Sequence, residues 1–357
     1  RLPGGGSGCS RLNYGRWLDA GCYLCSRTAE PFLKSSNHLM KEMILITGAN
    51  GQIGTVLTEA LQGRYGETQV LATDIHEPKA STARFELLDV LERDRLSKVV
   101  DHYGITQIYH LAAILSAKGE LNPRTAWDVN MNSLFNVLGV AKEYGARVFF
   151  PSSIAVFGTE TPQEATPQHT TLFPETVYGI SKVAGEYWCY YFYRKFGVDV
   201  RSLRYPGIIG YQSLPGGGTT DYAVEIFHRA IAGEPYECFL SADTRLPMMY
   251  MPDAIRATLE LMEATADRLT VRTSYNLAGM SFTPREVAAE IQKHLPGFEV
   301  TYRPDFRQQI ADAWSDTVDD RIARRDWGWR PAYDLAAMTR DMLEHLGAGE
   351  LVEGVAK

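Results

Sequence analysis

Tyr178-Gly179-Ile180-Ser181-Lys182 is the stretch of this chain with the plainest chemical content. On a helix its tyrosine and lysine stand one turn apart and emerge from the same face. A free phenol has a pKa near ~10 and is a poor base at neutral pH, but a neighbouring ammonium favours the phenolate and makes it a usable general base. The same string also describes a surface pair on an amphipathic helix, so it needs support from elsewhere. Support comes from Pro151-Ser152-Ser153-Ile154-Ala155-Val156-Phe157-Gly158, which ends an expected strand where a serine hydroxyl would hold the reacting oxygen of a substrate.

A second group of residues points to what would share this site. Gly48-Ala49-Asn50-Gly51-Gln52-Ile53-Gly54 follows an apolar run and opens a helical one, the context that a dinucleotide-binding loop requires. One glycine serves the tight turn, one lets a pyrophosphate approach bare N–H groups at the helix start, and a third lets helix and strand pack closely. The spacing is G-x-x-G-x-x-G and departs from G-x-G-x-x-G. Asp74 ends the expected second strand about twenty residues later, where a carboxylate accepts hydrogen bonds from the adenosine ribose. It would repel a 2′-phosphate, so NAD is expected over NADP; the plainer reading of Asp74 is a turn residue before Pro78. The positive nicotinamide ring would further favour the Tyr178 phenolate.

These groups need a scaffold, and the chain supplies its pattern. From Met43 onward short apolar runs alternate with longer amphipathic ones, as in a parallel sheet with crossover helices. Strands are predicted over 43–47, 69–73, 84–88, 107–111, 147–152 and 198–204, and helices near 52–64, 92–103, 123–144 and 178–196. Asn122 before Pro123 is a helix start and Gly145 a stop. After Arg204 the rhythm loosens, with a further capped helix at Thr283-Pro284-Arg285-Glu286. The expected fold is α/β, a doubly wound parallel Rossmann sheet with a smaller C-terminal substrate-binding lobe. Residues 41–210 would form mainly the sheet domain and 211–347 mainly the lobe, with some return to the sheet, and 348–357 a tail.

Composition agrees with a small-molecule enzyme. The 357 residues are 45% hydrophobic, enough for a large core, and the formal charge of -7 comes without a basic stripe, which argues against nucleic acid or an anionic membrane surface. No apolar run approaches the ~20 residues of a membrane helix. Cys9, Cys22, Cys25, Cys189 and Cys238 do not make a disulfide framework, and no cysteine–histidine cluster with zinc spacing implies a metal in the catalytic region. Residues 1–40 read unlike the rest: they contain Gly4-Gly5-Gly6 and scattered arginines (Arg1, Arg11, Arg16, Arg27), and lack periodicity. They are either a targeting segment, implying the mitochondrial matrix, or an extension ahead of a natural start at Met40 or Met43, implying the cytoplasm.

The order of the glycine loop, Asp74, Asp89, His110-Leu111-Ala112-Ala113, Asn130, the serine motif and Tyr-x-x-x-Lys is similar to that of the extended short-chain dehydrogenases/reductases, from Met43 to beyond Trp329. The resemblance implies a catalytic trio of Ser153, Tyr178 and Lys182, with Ser153 preferred to Ser152 because it lies four residues before Phe157. It places Asp89 and Val90 beside the adenine, Leu111 and Ala112 along the cofactor groove, and Ala113, Asn130 and Tyr205 with them. Val90 and Phe157 depart conservatively from the isoleucine and tyrosine common in relatives.

Finer features resemble the L-threonine 3-dehydrogenase branch: Ile114 to Glu120, Tyr205-Pro206-Gly207-Ile208-Ile209-Gly210, Pro215 to Tyr222, Arg245 to Tyr250, and Trp314 through Trp327-Gly328-Trp329. This implies NAD-linked oxidation of the 3-hydroxyl of L-threonine to L-2-amino-3-oxobutanoate. Hydroxyls of Ser116, Thr219 and Thr220 would bind the charged ends of the substrate, Gly207 and Asp221 would adjoin it, and Trp314 would close the pocket. Gly216-Gly217-Gly218 would be a hinge or a lid without substrate contact. A homodimer through helices 123–144 and 178–196 is implied, with Trp188, Tyr191 and Phe192 either at that contact or in the core. Two rival readings stand: a nucleotide-sugar epimerase or dehydratase, for which the region after Tyr205 offers few basic residues, and a non-catalytic NAD-sensing module, which has no need of a base.

Overall fold

Ile44-Leu45-Ile46-Thr47 is buried at every position, because it forms an interior strand of a sheet covered on both faces. The computed structural model describes residues 42–78, 84–216 and 218–354; the leader-like residues 1–40, with the Cys22/Cys25 pair, lie outside the described residues, as do 41, 79–83, Gly217 and 355–357. Strand β1 (Ile44–Thr47) lies between β2 (Val70–Asp74) and β4 (Gln107–His110). Beyond β2 comes β3 (Phe85–Leu87), and beyond β4 come β5 (Arg147–Ser153), β6 (Val200–Tyr205) and β10 (Tyr275–Asn276). The seven strands run in the order β10-β6-β5-β4-β1-β2-β3, with every pairing parallel. The predicted strands of this sheet agree to within one or two residues at each end, and β10 is the return of the C-terminal half to the sheet.

Helices α2 (Arg93–Tyr103), α4 (Pro123–Tyr144) and α5 (Val177–Phe196) share one core with the sheet, in which Leu45, Leu71, Leu96, Leu134, Val137 and Phe150 meet. Helices α1 (Gln52–Tyr65) and α7 (Met251–Glu263) pack on the other face, around Ile44, Leu57, Tyr109, Phe149 and Leu261. The short α3 (Ser116–Leu121) precedes α4. The Asn122 side chain accepts a hydrogen bond from the Thr125 N–H and Gly145 closes α4 in the left-handed conformation, so both predicted helix signals act where expected.

The C-terminal half contributes small sheets that the sequence pattern does not announce. β9 (Leu246–Tyr250) lies between β7 (Gly207–Ile209) and β11 (Met280–Phe282), and β8 (Tyr236–Cys238) pairs with β12 (Val300–Tyr302). These strands are too short to show alternation, and β8 finds its partner some sixty residues away. They surround a third core with α6 (Tyr222–Ile231) and α8 (Pro284–Gln292), the latter opened by the Thr283/Glu286 capping box. Helices α9 (Arg307–Asp312), α10 (Arg321–Trp327) and α11 (Leu335–Gly354) complete the fold, and the expected tail from 348 continues α11. No helix among the described residues is long and apolar enough to cross a membrane.

One contact sets the geometry that follows. Helix α5 approaches the end of β5 so closely that a Cβ on Gly185 would lie 2.5 Å from the Phe150 ring, and one on Gly179 would overlap the Ala155 carbonyl oxygen. Gly185→Ala must push Phe150 out of a filled core, and overpacking of this kind costs about 1–3 kcal/mol. Urea denaturation should show that loss; unchanged stability would mean that α5 is free to ride outward.

Candidate active site

The sheet reverses its direction of winding between β1 and β4, and the crevice opens beyond the carboxyl ends of these two strands. Gly48 leaves β1 with φ +73°, and a Cβ there would lie 2.6 Å from the Ala112 nitrogen in the loop after β4, so glycine is required on both grounds. Gly54 packs α1 onto this turn, while Gly51 is exposed. Helix α1 begins with no side-chain cap and no acidic residue in its first turn, which leaves backbone N–H groups of that turn without side-chain acceptors. Such an uncapped, acid-free helix start suits a pyrophosphate.

Asp74 stands beside this loop. Its carboxylate accepts from the Asn50 N–H at 3.1 Å and the Ile75 N–H at 2.8 Å, and the Asn50 side chain donates to the His76 carbonyl at 2.6 Å. Asn50 therefore latches the glycine loop to the end of β2. Leu111, Ala112 and Ala113 are half-buried along the same crevice. Val90 is buried, and its carbonyl is held by Asn136 at 2.9 Å, while Asp89 accepts from the Leu91 N–H at 2.9 Å. Asn136, which the sequence reading passed over, thus holds the loop that follows β3.

The trio assembles where β5 meets α5. Ser153 ends the strand, its hydroxyl accepting from the Ala155 N–H at 3.2 Å. Thr176 caps α5 through the Gly179 N–H at 3.0 Å and sets the start of the helix that carries Tyr178 and Lys182. Ser153 and Tyr178 remain half-buried, with Lys182 enclosed behind them. The Lys182 ammonium donates to the Pro151 carbonyl at 2.7 Å and lies 5.3 Å from the centre of the Tyr178 ring. Burial pushes the Tyr178 phenol up to about 12, with the Ser153 hydroxyl beside it pulling the other way. Burial likewise pulls Lys182 down to about 8. The ammonium and the nicotinamide ring are expected to favour the phenolate together; within the protein itself the lysine's hydrogen bond goes to the strand backbone, and desolvation holds the phenol in its neutral form.

The sequence model of the NAD dependent epimerase/dehydratase family matches residues 44–278. The chain belongs to this family. Its cofactor is NAD. An uncharacterized epimerase/dehydratase of Staphylococcus haemolyticus is 49% identical over 308 residues, 85% of this chain and 97% of that protein. A GalE-like L-threonine dehydrogenase from Cupriavidus necator, solved in its holo form, is 57% identical, with a TM-score of 0.84 over 85% of this chain and 99% of that one. A monomeric L-threonine 3-dehydrogenase from a metagenome, in its apo form, is 50% identical, with a TM-score of 0.84 over 86% of this chain and 99% of that one.

In this epimerase/dehydratase-family chain two residues expected at the cofactor have their side chains engaged by the protein. Tyr205 is buried with its hydroxyl bonded to Thr258 of α7, because side chains alternate along β6 and Arg204 takes the face toward α5. Asn130 commits its amide to the backbone of Ile114, accepting from the N–H at 2.8 Å and donating to the carbonyl at 3.0 Å, so it anchors the loop after β4. Gln52 and Ile53 open α1 at the crevice, with Ile53 also packed against the core.

Of the residues assigned to substrate, Gly207 and Thr220 are brought together: a Cβ on Gly207 would lie 2.6 Å from the Thr220 methyl. Thr219 is buried, and Asp221 accepts from the Gly218 N–H at 2.8 Å, shaping its own loop. Ser116 is buried at the start of α3, which Glu120 ties to α5 through the Val177 N–H at 2.8 Å. Trp314 lies in the core of the C-terminal half, in the cluster against which Tyr178 packs, so it is part of the wall and not a flap.

His110 sits behind these groups with each ring nitrogen on a hydroxyl, Thr47 at 2.9 Å and Ser133 at 3.2 Å. Burial, with the Lys182 charge second, pulls its pKa from the ordinary 6.5 down to about 3. Between those values the unfolded chain takes up a proton that the folded chain refuses, so the stability is complete above pH 6.5 and drains as the pH falls toward 3. His110→Gln should make the acid limb of stability shallower by about 1.4 kcal/mol per pH unit between pH 6 and 4. Parallel slopes in urea titrations of the two proteins would show that His110 is not the group responsible.

Proposed function

We propose that this chain is an L-threonine 3-dehydrogenase, oxidising the 3-hydroxyl of L-threonine to give L-2-amino-3-oxobutanoate and NADH. The observation that carries the reading is the meeting of Ser153, Tyr178 and Lys182 at the end of β5, beside the crevice that receives NAD. NAD, when bound, supplies the acceptor for the hydride from C3. Tyr178 takes the proton of the 3-hydroxyl and Ser153 holds that oxygen. Lys182 supplies positive charge behind the phenol and holds the nicotinamide ribose. Gly51 and the uncapped first turn of α1 would take the pyrophosphate, and Asp74 the adenosine ribose. Thr220, beside Gly207, would offer a short hydroxyl to a small zwitterion, with Ser116 and Thr219 buried, which favours an amino acid over a nucleotide sugar.

The test is NADH formation from NAD with L-threonine, beside L-allo-threonine, L-serine and a UDP-sugar. Threonine should turn over, with a rate that rises with pH because the phenol must lose its proton, and Tyr178→Phe should lower kcat by about a hundredfold or more. Turnover of the UDP-sugar alone would place the chain with the epimerases, and NAD binding without any turnover would make it a sensor.

We also infer a homodimer through α4 and α5. Trp127, Tyr187, Trp188, Tyr190 and Tyr191 are exposed on these two helices, a concentration of aromatic surface that a lone α/β subunit has no reason to display. Trp188 stands edge-on to Phe135 at 4.8 Å and to Tyr191 at 5.5 Å, giving the patch a fixed shape, while Phe192 packs inward. Light scattering should return twice the chain mass for the wild type and a single mass for Trp188→Glu/Tyr191→Glu. A wild type that runs as a monomer, as its metagenomic relative does, would end this reading.

A further inference from the structure

Behind the trio lies an ion pair that the proposed reaction does not use. Glu186 is 1% exposed and Arg204 3%. The guanidinium donates twice to the carboxylate, at 2.9 and 2.7 Å, and the Ser152 hydroxyl donates to the same carboxylate at 2.6 Å. Arg204 also donates to the Asn276 side chain at 3.0 Å and to the Gln168 carbonyl at 3.2 Å. Asn276 is held in turn by Gln168 and by the Thr166 carbonyl. A buried ion pair stabilises a fold little more than an apolar pair of the same volume, and often less, so stability alone is a weak account of it.

Its placement suggests a better one. Three successive residues of β5 each meet α5 on a single helical face. Pro151 accepts from Lys182, Ser152 donates to Glu186, and Ser153 neighbours Tyr178. Residues 178, 182 and 186 are spaced by four, so a shift of the helix would break all three contacts together. We propose that Glu186 is a positioning residue of this site: clamped by Arg204 and tied to Ser152, it fixes α5 against the end of β5 and serves as the buried counter-charge of the Lys182 ammonium. This rests on the reading of Tyr178 and Lys182 as the catalytic pair.

The surroundings of Lys182 leave that role to Glu186. On α5, Cys189 and Glu186 both oppose the effect of burial on the lysine, but burial pushes the Cys189 thiol far up and keeps it neutral in the working range. The Tyr178 phenol is also neutral there, as is His110 of β4. Arg204 of β6 shares the same carboxylate, so Glu186 carries the negative charge that faces both cations.

Two variants test the proposal. Glu186→Gln keeps the shape and removes the charge, and Glu186→Leu/Arg204→Met removes the whole pair without leaving a charge unmatched. The first readout is the titration of the Lys182 side chain, followed by NMR on lysine-labelled protein without added NAD and assigned with Lys182→Arg. The midpoint, about 8 in the wild type, should fall in Glu186→Gln, which leaves the Arg204 charge unmatched nearby, and stay nearer the wild-type value in the double variant, which removes a charge of each sign. The second is turnover of L-threonine: kcat should fall tenfold or more while KM stays within about twofold.

A folded Glu186→Gln with an unmoved midpoint, or a folded double variant with unchanged kcat, overturns the proposal. Should neither variant fold, Ser152→Ala carries the test, because it keeps the ion pair and cuts only the tie to β5. There kcat should drop severalfold with the lysine midpoint in place, and an unchanged kcat again overturns it. If the wild type does not oxidise threonine, the lysine titration still decides the place of Glu186, so the two readings fail separately.

Discussion

Everything chemical in this chain depends on how closely helix α5 can lie against the end of strand β5. Gly179 and Gly185 remove the two side chains that would hold the helix off, and the Thr176 cap sets where it begins. Once the elements touch, the four-residue repeat of the helix presents residues 178, 182 and 186 in a row to three neighbouring residues of the strand. The phenol and the serine hydroxyl are adjacent because backbone packed against backbone brings them there. The parallel sheet then does the remaining placement, since its order puts the glycine loop and the loop after β4 on either side of one crevice.

The same enclosure sets the electrostatics. Three titratable groups near the site have pKa values moved by burial, each toward the neutral form: the phenol up, the lysine and the histidine down. For His110 the arrangement is harmless at neutral pH, because two hydroxyls satisfy a neutral ring. Lys182 is different, since its charge is wanted and burial opposes it. Enzymes commonly hold such groups at the expense of stability, and the cost is met by the packing around them.

The site was legible in the sequence wherever its logic is local. The glycine loop, Asp74 at a strand end, and a tyrosine and lysine one turn apart each announce themselves within a few residues, and the central strands follow from apolar runs alone. What is not local is direction. Tyr205 lies at the expected end of β6, yet strand alternation turns its ring to the core and its neighbour Arg204 to the helix; position along a strand does not reveal the face without a known partner. Asn130 was placed in the right region, but its amide is spent on the backbone of Ile114. Glu186 shows only its helical spacing, because Ser152, Arg204 and Asn276 reach it from three other elements. The small sheets of the C-terminal half were illegible for a related reason: three-residue strands carry no period, and their pairing is settled by distant chain.

The return of Tyr275-Asn276 to the edge of the central sheet bears on how the molecule comes into being. A chain emerging from the ribosome exposes β6 with an open edge, and the guanidinium of Arg204 lacks its Asn276 partner, until some seventy more residues have been made. The nucleotide-binding half is therefore not a unit that can finish folding and wait for its lobe. For the same reason the lobe is not a cassette to be exchanged between relatives at a cut near residue 210, because the exchange would carry away the last strand of its host.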